Sequence, residues 1–142
     1  MNLRFHHIGV ACRDLNSECK LLSVLGYTAE GQDFADPVQG VAGRFLAGGG
    51  PRLELLTPLA QQGVLTPWLK ANIKLYHLAY EIEDLEGGIA GFRKQGAKLV
   101  VSPVAATAFA QRRISFLMLP NLLLIELIAA DSPDRLEQYR NL

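Results

Sequence analysis

Cysteine is scarce in this chain, and neither sign of charge is in excess. Cys12 and Cys19 are too few and too poorly spaced for a zinc or redox motif, so we expect reduced thiols that pack in the core. Lysine and arginine together number 14, as do aspartate and glutamate, and the formal net charge is zero. Such a chain has no electrostatic attraction to nucleic acid or to an anionic membrane, and we predict neither as a partner.

Long hydrophobic runs are missing as well. No apolar stretch reaches the ~20 residues that a membrane-spanning helix needs. The first residues enter a strand pattern directly, without the basic, apolar and small-residue segments of a signal peptide. We therefore expect a cytoplasmic protein.

Its 142 residues, 49% of them hydrophobic, suit a single domain with one shared core.

What the chain does contain is an internal repeat. The segment FHHIGVACRDL near the start returns later in the chain as YHLAYEIEDL. Alignment of the two segments places His7 onto His77. Later in each half, RLELLTPL returns as LLIELIAA, so that Glu54 corresponds to Glu126. Each half thus supplies one histidine on an early strand and one glutamate on a late strand.

Hydrophobic periodicity predicts the same elements in both halves. Asp14 and Asp84 are typical N-caps, and Gly26 and Gly96 are typical glycines after a helix end. In the first half the pattern predicts a helix at 15–25 and strands near 4–12, 28–34, 41–47 and 52–57. In the second half it predicts a helix ending at 95 and strands near 75–82, 97–103, 112–118 and 122–130. Each half therefore reads as a βαβββ module.

The predicted fold class is α+β, with two βαβββ modules that form an open curved mixed sheet around a metal pocket. We expect one domain covering 1–142. Within it, module 1 spans about 4–59, a connector 60–73, module 2 about 74–130, and a C-terminal tail 131–142 that resembles a surface helix.

Strand alternation indicates which way the histidines point. His7 shares a strand face with Gly9 and Ala11, and His77 shares one with Ala79. These small neighbours leave space above the sheet, while the apolar opposite faces are expected to pack against the helices. A single histidine in a strand is more often a packing residue than a metal ligand.

The two glutamates are harder to explain by packing alone. Glu54 and Glu126 each lie in an apolar strand, and burial of an unpaired carboxylate costs several kcal/mol. A cation shared by both carboxylates and both imidazoles would satisfy all four groups. We therefore predict one divalent ion, Zn, Ni, Co or Mn, held by His7, Glu54, His77 and Glu126.

These features resemble the vicinal oxygen chelate superfamily, which comprises glyoxalases, bleomycin resistance proteins and dioxygenases. The resemblance covers residues 5 to about 130, and the family pairs βαβββ modules with metal ligands on the first and last strand of each. The motifs HIGVA, PVQGV, LELLTPL, PWLKAN, YHLAYEIEDL, RRISF and LLIEL are similar to those of methylmalonyl-CoA epimerases. A His, Glu, His, Glu ligand set is instead like that of glyoxalase I.

The sequence departs from the epimerase pattern at three places. The epimerases usually carry Gln where this chain has Glu54, and they carry a basic Glu two residues after QGV, where this chain has Gly43. Their His-Pro-Lys loop before the last strand is here MLPNL.

The resemblance implies a metal-dependent isomerase or lyase that moves a proton next to a carbonyl, in an acyl-CoA or in an α-keto or hemithioacetal substrate. Glu126 is then the principal base and Glu54 its counterpart. Arg112 and Arg113 alternate on a strand, so one of them can face the pocket and bind a substrate carboxylate or phosphate; a solvated edge-strand charge is the alternative. The resemblance also implies a homodimer. A non-catalytic small-molecule binding or resistance protein of the same fold is the other open interpretation.

Overall fold

The computed structural model of the protein describes residues 1–130, and the predicted C-terminal tail lies outside them. Eight strands and three α-helices follow one another within this part of the chain. They are β1 (Leu3–Ala11), α1 (Leu15–Ser23), β2 (Thr28–Asp36), β3 (Val41–Ala47), β4 (Leu53–Pro58), α2 (Thr66–Lys70), β5 (Leu75–Ile82), α3 (Leu85–Lys94), β6 (Lys98–Ala105), β7 (Arg113–Met118) and β8 (Leu124–Ala129). A short 3₁₀ turn, Thr107–Phe109, precedes β7.

The chain divides into two compact units. We call His7–His77 the amino-terminal unit, and Met1–His6 together with residues 78–130 the carboxy-terminal unit. The boundaries cut through β1 and β5 rather than through the connector. The prediction of a single domain with two consecutive modules stays a prediction.

In the amino-terminal unit, β4 lies between β1 and β3. It runs parallel to β1, with Glu54 beside Gly9, and antiparallel to β3, with Glu54 opposite Phe45. Ile8 and Val10 face the other way and pack, with α1, against a core of Cys12, Tyr27, Leu46, Leu53 and Leu55. The predicted burial of the apolar strand face against the helix is therefore observed.

Local signals in the sequence explain where α1 begins and where the chain turns after it. The Ser17 backbone N–H donates to Asp14 Oδ1 at 2.7 Å, and this bond lowers the pKa of the Asp14 carboxyl below its usual range. The helix ends at Ser23, and Gly26 then adopts φ of +95°, a left-handed conformation that glycine accepts without strain.

The carboxy-terminal unit repeats this pattern. β8 runs parallel to β5, with Glu126 beside Ala79, and antiparallel to β7, which pairs in turn with β6. Asp84 accepts the Gly87 N–H at 3.0 Å at the start of α3, as Asp14 does in α1. A core of seven residues lies between helix and strands, namely Ile82, Leu85, Ile89, Ala97, Leu117, Ile125 and Leu127.

The eight strands form one mixed sheet with the order β2-β3-β4-β1-β5-β8-β7-β6. The predicted fold class, two βαβββ modules contributing to an open mixed sheet, is thereby confirmed. Within residues 1–130, no helix is both long enough and apolar enough to cross a lipid bilayer.

Candidate metal centre

Two fully buried histidines meet in the amino-terminal unit. The Nε2 atoms of His7 on β1 and His77 on β5 lie 3.0 Å apart, and neither side chain is exposed to solvent. The ring planes are nearly perpendicular, at 78°, so the two imidazoles present their Nε2 atoms to one point rather than stacking. Strand alternation predicted that both rings lie on the sheet face opposite the apolar core.

A buried carboxylate joins them. Glu54 Oε1 lies 3.3 Å from His7 Nε2 and 3.5 Å from His77 Nε2, and the residue is 3% exposed. The register of β4 against β1 puts Glu54 beside Gly9, two residues from His7 along β1. The same carboxylate oxygen therefore faces both imidazoles.

The spacing of these three atoms fits a shared divalent ion. With metal–ligand bonds of about 2.1 Å, two ligands of one ion lie about 3.0 Å apart at a right angle and about 3.4 Å apart at the tetrahedral angle. The observed separations of 3.0, 3.3 and 3.5 Å cover this range. Two imidazole nitrogens and one carboxylate oxygen are also donors that first-row divalent metals accept.

Gly9 provides the space in which the His77 ring lies. A methyl group at this position would lie 2.2 Å from Cε1, 2.4 Å from Nδ1 and 2.6 Å from Nε2 of His77. The sequence indicated that small residues beside the histidines leave room for a ligand. The structure shows that at Gly9 this room is occupied by the imidazole itself.

One aromatic ring contacts His7, and a second ring contacts the first. Phe45 on β3 packs edge-to-face against the His7 ring at 5.5 Å, and Phe34 on β2 lies 5.7 Å from Phe45. Phe34 covers Gly43, where a methyl group would lie 2.2 Å from Phe34 Cζ. The position at which the resemblance implied a basic glutamate in the epimerases is thus covered by a phenyl ring.

Glu126 occupies in the carboxy-terminal unit the place that Glu54 has in the amino-terminal one. It lies on the last strand of its module, beside Ala79 on β5 and opposite Phe116 on β7, and is 3% exposed. The equivalence inferred from the sequence repeat is therefore also an equivalence of strand and register.

The two predicted arginines differ in their surroundings. Arg112, just before β7, is largely buried and donates from Nη1 to Glu81 Oε2 at 3.1 Å. Arg113 is half exposed and pairs with Glu86 of α3, which lowers the pKa of the Glu86 carboxyl. Arg112 is thus the more enclosed of the two, and its role in substrate binding stays a prediction.

Sequence reasoning did not identify Phe34 or Phe45 as part of this environment, and it placed Gly9 on the histidine face without predicting its contact with the His77 ring. The one local signal was the presence of glycine inside a strand at positions 9 and 43, because such a glycine often marks the close approach of another group. The identity of the approaching group depends on the register between strands, which the sequence does not reveal.

Comparison with known proteins places these features in context. The family model described as Glyoxalase/Bleomycin resistance protein/Dioxygenase superfamily matches residues 6–116. No curated protein sequence matches the chain significantly.

Solved structures agree with the fold. Methylmalonyl-CoA epimerase from Mycobacterium tuberculosis is 26% identical with a TM-score of 0.75, over 94% of this chain and 91% of that one. A variant of the Streptomyces coelicolor methylmalonyl-CoA epimerase in complex with 2-nitronate-propionyl-CoA is 25% identical with a TM-score of 0.75, over 91% of this chain and 98% of that one. A hypothetical protein from Bacillus halodurans, 22% identical with a TM-score of 0.77 over 93% and 97% of the two chains, shares the fold.

Proposed function

Because this chain belongs to the Glyoxalase/Bleomycin resistance protein/Dioxygenase superfamily, we propose that it is a metal-dependent isomerase or lyase that moves a proton at a carbon next to a carbonyl. The observation that carries the proposal is the buried cluster of His7, His77 and Glu54. Its three facing atoms lie 3.0–3.5 Å apart, the spacing expected of ligands to one ion.

We propose that Glu126 completes the ligand set and that one divalent ion, Zn, Ni, Co or Mn, is held per site. The sequence repeat, the matching strand position and the burial of Glu126 all support this assignment. A buried carboxylate needs a cation or hydrogen-bond donors to offset its lost hydration, and the ion offers such a partner. Imidazole and carboxylate donors do not discriminate sharply among the four metals.

The bound ion would supply Lewis-acid polarisation of a chelated carbonyl, which makes the neighbouring C–H more acidic. Glu126 is the proposed base: its carboxylate takes this proton and returns it. Glu54 is the proposed counterpart, although its Oε1 atom faces both imidazoles and is better placed as a ligand than as a free base. Burial keeps water away from the transferred proton.

The proposed substrates are acyl-CoA thioesters or α-keto and hemithioacetal compounds. The Streptomyces coelicolor epimerase supports the first class, since that protein is in complex with 2-nitronate-propionyl-CoA. The four-donor set of His7, Glu54, His77 and Glu126 supports the second, because it resembles the set of glyoxalase I.

One observation favours a second candidate, a non-catalytic small-molecule binding protein of the same fold. Residue 43 is a glycine, covered by the ring of Phe34, and therefore has no carboxylate that could act as a base. A two-base reaction must then use Glu54 and Glu126 alone. If neither is released from the ion, the protein binds its ligand without turning it over.

Hydrogen exchange distinguishes the two candidates. Metal-loaded protein is incubated in deuterated water with methylmalonyl-CoA, with a hemithioacetal and with an α-hydroxy ketone, and loss of the α-proton signal is followed by NMR. The enzyme proposal predicts exchange that stops when a chelator removes the ion. Binding of these compounds without any exchange would support the non-catalytic candidate.

A further inference from the structure

We propose that Phe34 and Phe45 form an aromatic wall beside the metal centre, and that this wall selects chelating substrates that carry a planar apolar group. The inference rests on the proposed function, since it concerns the substrate of the same site.

The first support is the close approach of the Phe34 ring to Gly43. Phe34 lies opposite Gly43 in the β2–β3 register, and a methyl group at Gly43 would lie 2.2 Å from Cζ and 2.7 Å from Cε2 of the Phe34 ring. It would also lie 2.9 Å from the backbone oxygen of Leu55, which is fixed by the sheet. Glycine at position 43 therefore allows the Phe34 ring to lie where it does, directly against the β3 backbone.

The second support is the connection from Phe34 to the metal centre. The Phe34 and Phe45 rings are 5.7 Å apart with planes tilted by 38°, and Phe45 meets the His7 ring edge-to-face at 5.5 Å. Phe45 also lies opposite Glu54 in the β3–β4 register. Both phenylalanines are half-buried rather than enclosed in the core.

The third support is the chemistry of the wall. Its two rings offer no hydrogen-bond donor or acceptor, so an anionic or strongly hydrated neutral substituent against them would lose water without compensation. A planar apolar group gains contact and favourable ring geometry, an effect of roughly three- to tenfold in affinity. The preferred substrate is therefore a bidentate oxygen chelator, such as an α-hydroxy or α-oxo carbonyl compound, with an aryl substituent.

Two hydroxamates test this inference without any turnover. Acetohydroxamate and benzohydroxamate chelate through the same two oxygens and differ only in a methyl or a phenyl group. Their dissociation constants for Co²⁺-loaded protein are measured from the visible absorption of the ion. We expect Phe34→Ala to reduce the preference for benzohydroxamate roughly three- to tenfold, and Phe34→Leu to reduce it by less.

Phe92→Ala is the matched control, because Phe92 is also half-buried but packs on the helix side of the carboxy-terminal unit. It should leave the preference unchanged. The proposed role of the aromatic wall would be wrong if both Phe34 variants kept their Co²⁺ and preferred benzohydroxamate as strongly as the wild type does. The proposed metal centre would not be affected by that result. Failure of the wild type to bind Co²⁺ would overturn the proposed function and this inference with it.

Discussion

The Nε2 atoms of His7 and His77 lie 3.0 Å apart, although 70 residues separate the two histidines along the chain. At this distance one Nε2–H can donate to the other ring nitrogen, and two acceptor nitrogens this close can instead bind one cation. Glu54 Oε1 faces both nitrogens and adds negative charge.

Replacing Gly9 by Ala should weaken metal binding without unfolding the protein. The added methyl group would fall 2.2–2.6 Å from three atoms of the His77 ring, which must then rotate or shift away from His7. We expect at least a roughly tenfold loss of metal affinity, since ligand positioning typically has effects of this size. The metal affinities of the wild type and Gly9→Ala are measured by competition with a chromophoric chelator.

Gly63→Ala is the control for that experiment. Gly63 has no neighbouring atom within 4 Å of the added methyl group and lies in an exposed turn, so its substitution should leave metal affinity unchanged. Equal affinities for Gly9→Ala and Gly63→Ala would show that the His77 ring is not held where a metal ligand must be.

The two glutamates should differ in their effects on exchange. Glu126→Gln removes the proposed base but keeps a neutral oxygen donor, so we expect some metal to remain while α-proton washout is lost. Glu54→Gln should be milder, because Glu54 Oε1 faces the imidazoles in the manner of a ligand. NMR of the substrate in deuterated water and metal analysis are run on both variants. Exchange that survives in Glu126→Gln and disappears in Glu54→Gln would reverse the assigned roles.

Alkaline pH should destabilise the fold through Cys12. Burial, with a smaller contribution from the nearby Glu18 carboxylate, raises the pKa of the Cys12 thiol from 9.0 to about 11. Between these values the unfolded chain releases the proton and the folded protein keeps it, so stability falls as pH rises from about 9 to about 11. The expected loss is on the order of 2 kcal/mol.

Urea unfolding at pH 8 and pH 10.5 in the presence of a chelator measures this loss. Lysines and tyrosines also titrate in this range, so the wild type is compared with Cys12→Ala, which should lose less stability over the same interval. An identical loss in both proteins would mean that the buried thiol makes no contribution.

We also propose that the protein forms a homodimer. The strand order leaves β2 and β6 at the two ends of the sheet, and exposed strand edges in proteins are usually covered. Sedimentation at micromolar concentration should give a mass near twice 15.6 kDa. A single species of 15.6 kDa would rule the dimer out under those conditions.

The sequence was sufficient to predict most of the fold. Aspartate caps and left-handed glycines mark both long helices, so the predicted and observed starts of α1 agree and its end differs by two residues. The Thr107–Phe109 turn was not predicted, because a single 3₁₀ turn has no periodicity to detect. β2 extends to Asp36 rather than ending near 34, and its pairing with β3 shifts register between Glu30 and Phe34.

The candidate site was predictable only in part. The repeat and the strand alternation identified His7, Glu54 and His77 as residues of one sheet face, and the structure brings their side chains together. The contact of Phe34 with Gly43 depends on the β2–β3 register, which tertiary packing sets. Whether the cluster holds an ion stays a prediction.

Elemental analysis of metal-loaded, untagged protein tests the central claim most directly. The wild type should contain about one divalent ion per chain, and His77→Ala should contain almost none, because it removes an imidazole 3.0 Å from His7 Nε2. His6→Ala is the matched control, because His6 is the neighbouring histidine in the chain and its Nε2 lies 4.0 Å from Glu81 Oε1. This variant should keep its metal. Equal metal content in the wild type and His77→Ala, or no metal in the wild type after loading, would contradict a metal centre at these residues.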